Sequence, residues 1–198
     1  MYPKFTSPRI LTPQEQKRLL RVVRAHGSPR DRALLSLALG TGLKLRELAG
    51  LNVGDVSPDG KTIQWRVPLD PKTTKGGRGG TAFLVAGVRK EVRRLLSWKR
   101  RAGEPLETRS PLFLSRQRRR VSLRRIQFMF REWQAAAGFE TVYPFHSLRH
   151  SAITNVYRAT KDLYLTQRFA RHASPMSTTI YTHPTDEELY EGIRGIKT

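Results

Sequence analysis

The strongest constraint on the fold is an apolar segment near the amino terminus. It follows Ser28-Pro29-Arg30-Asp31, a helix-start signal with Ser at the cap and Pro at the first helical position. Leu34, Leu35, Leu37 and Leu39 then make the segment almost continuously apolar as far as Gly40. Because a helix that is apolar on all sides has to be covered on all sides, this segment is predicted to be a buried helix.

Signals elsewhere in the chain predict one mostly helical domain with a small antiparallel sheet, that is, an α+β fold. Thr12-Pro13-Gln14-Glu15 reads as a capping box that opens a helix to about His26. Two strand-like segments, 62–67 and 81–85, are joined by a basic, glycine-rich loop. Further helices are predicted for the segments that start after Gly42, at Gly87 (to Ala102), after Ser122 (to Ala137), near Phe145, at Asp162 and at Thr185.

The charge of the chain indicates a polyanionic partner. Lys and Arg number 37 against 16 acidic residues, for a net charge of +21 and a pI near 11.3. Nucleic acid fits this excess better than a membrane surface, because the charge is spread along the chain. A signal peptide and an apolar run long enough for a membrane span are not expected, and the absence of cysteine excludes disulfides and thiolate chemistry. We therefore expect a prokaryotic cytoplasmic protein.

Two short motifs predict a phosphate site. His146, Arg149 and His150 share one helix face at i, i+3 and i+4, and the later segment runs from His172 to Tyr181. A tyrosine can attack phosphorus when cations and imidazoles neutralise the phosphoryl charge. Each motif alone would also fit a basic helix with core histidines. A zinc site at His146 and His150 is a further alternative, but no third ligand has suitable spacing.

A third motif, Thr41-Gly42-Leu43-Lys44-Leu45-Arg46-Glu47-Leu48, completes a pattern that resembles the catalytic domain of the tyrosine recombinase (phage integrase) family. The resemblance runs from Thr12 to the end of the chain and implies the family's DNA breaking-rejoining fold. Lys44 stands where the family has its first catalytic Arg, so a point charge replaces a bidentate fork. Arg46 is unsuited to take over from Lys44, because side chains two residues apart on a helix point about 200° away from each other. Glu47 is expected to order the neighbouring cation.

The resemblance also implies roles for the other residues. Tyr181 would attack the scissile phosphate and form a 3′-phosphotyrosine, while Arg149 and Lys44 hold its non-bridging oxygens. His146 would steady the phosphate or move a proton, and His172 would donate to a non-bridging oxygen. Lys72, in the loop between the strands, is the expected general acid, with Lys75 as the reserve. No metal or other cofactor is implied.

The resemblance divides the chain into an arm (1–11), a catalytic domain (12–184) and a helical tail (185–198). Leu189, Ile193 and Ile196 give the tail an apolar stripe, which either docks on a neighbouring protomer or folds back on its own core. The implied partner is double-stranded DNA with inverted-repeat sites, in the nucleoid. The implied assembly is a homo-tetramer on DNA and a monomer or dimer when free.

The predicted function is site-specific recombination, whether integration, excision or inversion. A hydroxyl from the same duplex would instead give topoisomerase-like nicking and closing. The alternative from another class is a DNA-binding protein of recombinase ancestry, impaired in cleavage by Lys44, and Lys44 as an introduced change is a third reading. Further DNA contacts are predicted for Lys75, Arg78, Arg116, Arg118, Arg119, Arg120, Arg124, Arg125 and His150.

Overall fold

The computed structural model describes residues 9–73, 79–181, 190 and 193–194. These residues form a mostly helical α+β domain with a two-stranded sheet, as predicted. The elements, in chain order, are α1 Pro13–His26, α2 Pro29–Thr41, α3 Leu45–Gly50, α4 Val53–Val56, β1 Arg66–Leu69, β2 Gly80–Phe83, α5 Ala86–Arg101, α6 Leu123–Ala136, α7 His146–Thr160, α8 Leu163–Ala170 and α9 Met176–Thr179. The helix predicted from Thr185 lies outside the described residues.

Helix α2 is buried, as its apolar sequence predicted, and it lies at the centre of the core. Its residues from Ala33 to Leu39 are buried, and it packs against α1, α5 and α7. The helix ends at Thr41 rather than at Gly40, because the residue that leaves the helix in the left-handed conformation is Gly42, with φ 59°. Gly40 stays helical and allows close approach of α5, since a Cβ there would collide with the Val88 side chain.

The helix starts follow the side-chain caps read in the sequence. In α1, the Thr12 hydroxyl accepts from the Glu15 backbone, and the Glu15 carboxylate accepts from the Thr12 backbone. Ser122 caps α6 and Asp162 caps α8. In each, the side chain of the cap residue accepts from a backbone N–H three residues later. Leu11 lies one residue before the predicted start of the domain, yet it is buried and its N–H donates to the Ser151 hydroxyl in α7 at 2.8 Å.

The sheet is antiparallel, with Arg66 opposite Phe83 and Leu69 opposite Gly80. The predicted first strand began too early at Thr62. The Asp59 carboxylate accepts from the backbone N–H groups of Lys61 and Thr62 at 2.9 and 2.8 Å, which holds these residues in a turn. In the described part of the chain, no helix has the length and apolar character needed to cross a membrane.

Candidate active site

The predicted site residues come together where the start of α7 meets the segment after α8. The first turns of α7 carry His146, Arg149 and His150. Helix α8 ends at Ala170, and the short helix α9, which the sequence analysis did not predict, brings Tyr181 back towards α7. The Tyr181 N–H bonds to the Thr178 carbonyl at 3.0 Å, so the end of α9 holds the tyrosine backbone.

Arg149 is the most enclosed of these side chains, with 3% of its surface exposed. Its Nη1 donates to the Gly42 carbonyl and its Nη2 to the Ala170 carbonyl, so it joins the turn after α2 to the end of α8. Burial lowers the pKa of Arg149 to about 10, and the adjacent Arg171 lowers it further, while Glu47 and Tyr181 oppose the shift. The guanidinium still carries its charge at neutral pH.

The Tyr181 hydroxyl faces His150. Its oxygen lies 2.6 Å from His150 Nδ1, and the tyrosine ring packs in a small cluster with Ile153 and Ala170. Burial raises the pKa of Tyr181, with Arg149 opposing the rise, and burial lowers the pKa of His150 to about 4, helped by nearby cationic and imidazole groups. At neutral pH a phenol therefore faces an uncharged imidazole that can accept its proton. The sequence analysis assigned His150 a DNA contact and missed this pairing.

His146 and His172 flank this pair. The ring of His146 meets that of His150 edge-on, with centroids 4.5 Å apart, and the ring of His172 stacks on Tyr181 at 6.2 Å. His172 Nδ1 lies 2.9 Å from the Thr178 hydroxyl. Burial lowers the pKa of both histidines, that of His172 to about 4, and nearby cations add to the shift. A bound phosphate would favour their charged, donating forms.

The third motif places Glu47 near Arg149, and Lys44 lies next to Glu47. Lys44 is the N-cap residue of α3, and its N–H donates to Glu47 Oε2 at 2.8 Å, while its Nζ lies 3.9 Å from Oε1. Glu47 is 2% exposed and also accepts from Arg171 Nη2 at 3.1 Å. Arg46 is exposed, whereas Lys44 is partly buried. The sequence analysis assigned no role to Arg171.

Lys72 lies in an exposed 3₁₀ turn, Pro71–Thr73, that follows β1. Its N–H donates to the Asp70 carboxylate at 2.8 Å, and the turn packs against α3, the helix that carries Glu47. Lys72 is therefore close to the cluster but is not joined to it by a contact that the structure describes. Lys75 and Arg78 lie outside the described residues.

The predicted DNA-binding arginines divide into two groups. Arg116, Arg118, Arg119 and Arg124 are exposed. Arg120 is also exposed, but it donates from Nη1 to the carbonyls of Ala49, Gly50 and Leu51, at 2.8 to 3.1 Å. Arg125 forms an ion pair with Glu132 at 3.2 Å. The guanidinium groups of Arg120 and Arg125 are thus already engaged in contacts within the domain.

Comparison with known proteins gives consistent matches over nearly the whole chain. Residues 9–188 match the model of the phage integrase family. The chain is 31% identical to "Tyrosine recombinase XerC" of Caldanaerobacter subterraneus subsp. tengcongensis, over 94% of this chain and 50% of that protein. It is 32% identical to "Tyrosine recombinase XerD" of Bifidobacterium longum, over 94% of this chain and 61% of that protein.

The fold has a similar match among solved structures. The crystal structure of XerA recombinase superposes with a TM-score of 0.79 at 27% identity, over 98% of this chain and 67% of the other. The chain spans 50% and 61% of the lengths of the two curated relatives, so the match concerns one part of those proteins.

Proposed function

Since the chain belongs to the phage integrase family, we propose that it cleaves and rejoins double-stranded DNA at specific sites through a covalent bond to Tyr181. The observation that carries this proposal is the Tyr181 hydroxyl, 2.6 Å from a neutral imidazole and beside the buried charge of Arg149. A nucleophile, a proton acceptor and a phosphate-binding cation are the groups that phosphoryl transfer to tyrosine requires. The relatives named as tyrosine recombinases support the same reaction.

In the proposed step the Tyr181 oxygen forms a bond to the scissile phosphorus, and the bond from phosphorus to the 5′ oxygen breaks. The phenol proton passes to His150 Nδ1, and Lys72 gives a proton to the departing 5′ oxygen. Arg149, Lys44 and His172 neutralise the non-bridging oxygens as charge builds, and His146 steadies the phosphate from the same face. Glu47 holds Lys44 in place through the contacts described above.

The phosphotyrosine conserves the energy of the broken phosphodiester. A 5′-hydroxyl from a second duplex can therefore attack it, which rejoins DNA in a new combination and releases Tyr181. The proton acceptor of the first step then becomes the donor that restores the phenol. Integration, excision and inversion all consist of this exchange and differ only in how the two DNA sites are arranged.

The test is capture of the covalent intermediate on a pool of nicked duplexes with randomised sequence around the nick. Loss of the short fragment next to the nick would trap cleaved DNA on the protein as a complex that survives denaturation. We expect the adduct with the unaltered chain and none with Tyr181→Phe, which keeps the ring packing. An adduct that persists in Tyr181→Phe would move the nucleophile to another residue.

Lys44 favours a second candidate function, that of a DNA-binding protein with impaired cleavage. A lysine cannot grip two phosphate oxygens as a fork, and here Nζ lies 3.9 Å from Glu47. The same pool distinguishes the two functions. Enrichment of particular sequences without any adduct would favour the DNA-binding protein, whereas enrichment with an adduct favours the recombinase.

DNA would lie across the face that carries the site, held by exposed arginines. Arg116, Arg118 and Arg119 occupy the turn before α6, and Arg124 lies in its first turn. Exposed guanidinium groups neutralise phosphates and release counterions, which gives affinity without reading sequence. Lys75 and Arg78, in the sequence between the two strands, are proposed to add further contacts.

We further propose that four copies of the chain assemble on two DNA duplexes, and that the helical tail of each copy (185–198) docks on a neighbouring copy. An apolar groove of about 670 Å³ supports this arrangement; its lining includes Leu39, Val85, Val156, Leu165 and Phe169. The apolar stripe predicted from the sequence for Leu189, Ile193 and Ile196 would match it in character. Removal of residues 185–198 should reduce the mass of the DNA complex from four copies to fewer, and an unchanged mass would contradict docking between copies. Inverted repeats in a prokaryotic nucleoid are the proposed substrate.

A further inference from the structure

Arg171 has a backbone conformation that is unfavourable for arginine. It ends α8 in the left-handed region, with φ 56° and ψ 42°, where glycine is strongly favoured because it has no Cβ. Its side chain is nevertheless enclosed, with 10% of its surface exposed. A residue held in a sparsely populated conformation indicates that its side chain is needed where it lies.

The guanidinium of Arg171 joins three parts of the site. Nη2 donates to Glu47 Oε2 at 3.1 Å and to the Gly42 carbonyl at 3.2 Å. Nη1 donates to the carbonyls of Phe169 at 3.0 Å and Thr41 at 3.4 Å. Gly80 leaves the room for this side chain, because a Cβ there would come within 2.9 Å of Arg171 Cδ.

Two guanidinium groups therefore converge on one oxygen. The Gly42 carbonyl accepts from Arg149 Nη1 as well as from Arg171 Nη2. The Glu47 carboxylate balances the charge of these two groups. It accepts from Arg171 and from the Lys44 backbone N–H, and it lies close to the Lys44 ammonium. Buried Arg171 Nε has no hydrogen-bond acceptor among the residues that the structure describes. Burying two like charges side by side is costly, and such arrangements are typical of functional sites.

We propose that Arg171 is a positioning residue that supplies the second guanidinium of the active site and thereby compensates for Lys44. It fixes the Glu47 carboxylate, which aims the Lys44 ammonium, and it fixes the Gly42 carbonyl, which orients Arg149. Its charge also adds to the positive potential at the phosphate, where a bidentate arginine at position 44 would otherwise act. This inference rests on the proposed function, because the compensated property is the rate of DNA cleavage.

The experiment compares Arg171→Gly, Lys44→Arg and the double variant with the unaltered chain. Nicked duplexes enriched from the randomised pool serve as the probe, at saturating protein in a single turnover. We expect Arg171→Gly to lower the cleavage rate on the order of 10²-fold, with DNA affinity unchanged within a few-fold. The melting temperature should fall only modestly, because the suitability of glycine for the left-handed conformation offsets part of the lost contacts to Glu47 and to three backbone carbonyls.

The double variant tests compensation directly. Lys44→Arg should raise the cleavage rate far more in the Arg171→Gly chain than in the unaltered chain, and should return it to within about tenfold of the original rate. Arg171→Lys, which keeps the charge but loses the fork, should lie between Arg171→Gly and the unaltered chain.

Three results would overturn the inference. One is an unchanged cleavage rate in Arg171→Gly. Another is a rate that falls together with a large drop in the melting temperature and is not restored by Lys44→Arg, which would make Arg171 a structural strut. The last is the absence of any adduct with the unaltered chain, which would overturn the proposed function and this inference together, and which is recognisable because it precedes any substitution.

Discussion

Replacement of His150 by alanine tests the proposed proton acceptor more sharply than any other single change. In the unaltered chain the imidazole is 2.6 Å from the Tyr181 hydroxyl, and its pKa is lowered to about 4. The ring is therefore uncharged from mildly acidic to alkaline pH. We expect the cleavage rate to be nearly independent of pH between about 6.5 and 9, because the acceptor is available throughout this range.

Without His150, cleavage would depend on the small fraction of Tyr181 already ionised. The pKa of Tyr181 is raised by burial above its ordinary value of about 10. At pH 7.5 fewer than about one in 300 Tyr181 side chains is then ionised to phenolate, so the cleavage rate should fall on the order of 10²- to 10³-fold. The rate should also rise about tenfold per pH unit, because each unit increases the phenolate fraction by that factor.

The assay is single-turnover cleavage of nicked duplexes at saturating protein, measured at several pH values. His26→Ala is the matched control, because His26 is exposed at the end of α1, away from the site. A His150→Ala variant whose rate stays within a few-fold of the original and remains independent of pH would refute the assignment. The phenol proton would then have to leave by another route.

Two further predictions concern binding and stability. Arg119→Ala should weaken DNA affinity with little effect on the free energy of unfolding, whereas Arg120→Ala should lower that free energy by about 1 to 2 kcal/mol, because three backbone carbonyls lose their donor. DNA titrations and urea denaturation of both variants would check this, and equal effects on binding would contradict it. The unfolded chain binds more protons than the folded chain between pH 6.5 and 4, because the folded pKa values of His150 and His172 are about 4. The free energy of unfolding should therefore fall as the pH falls through this window. Urea titrations should show a flatter dependence of that free energy on pH after both histidines are replaced by glutamine, and an unchanged slope would contradict the lowered pKa values of the two histidines.

Local signals explain how much of the fold was predictable. The caps at Thr12, Ser122 and Asp162 act within a few residues, so their helices begin where the sequence indicates. The apolar run of α2 is equally direct, because its burial follows from its composition. Only the start predicted for the first strand, at Thr62, was wrong, because a side chain outside the strand pattern, that of Asp59, bonds the backbone of Lys61 and Thr62 into a turn.

The sequence by itself determined which chemistry was present: a tyrosine, histidines, an arginine and a lysine in the order and spacing of three motifs. Only the tertiary structure decided which of these groups touch. The turn of α9 directs Tyr181 to His150, and the left-handed end of α8 directs Arg171 to Glu47. Arg149 reaches the carbonyl of Gly42, more than a hundred residues away along the chain. Such contacts depend on how whole helices pack, and packing is set by the combined shape of the core rather than by any local pattern of residues.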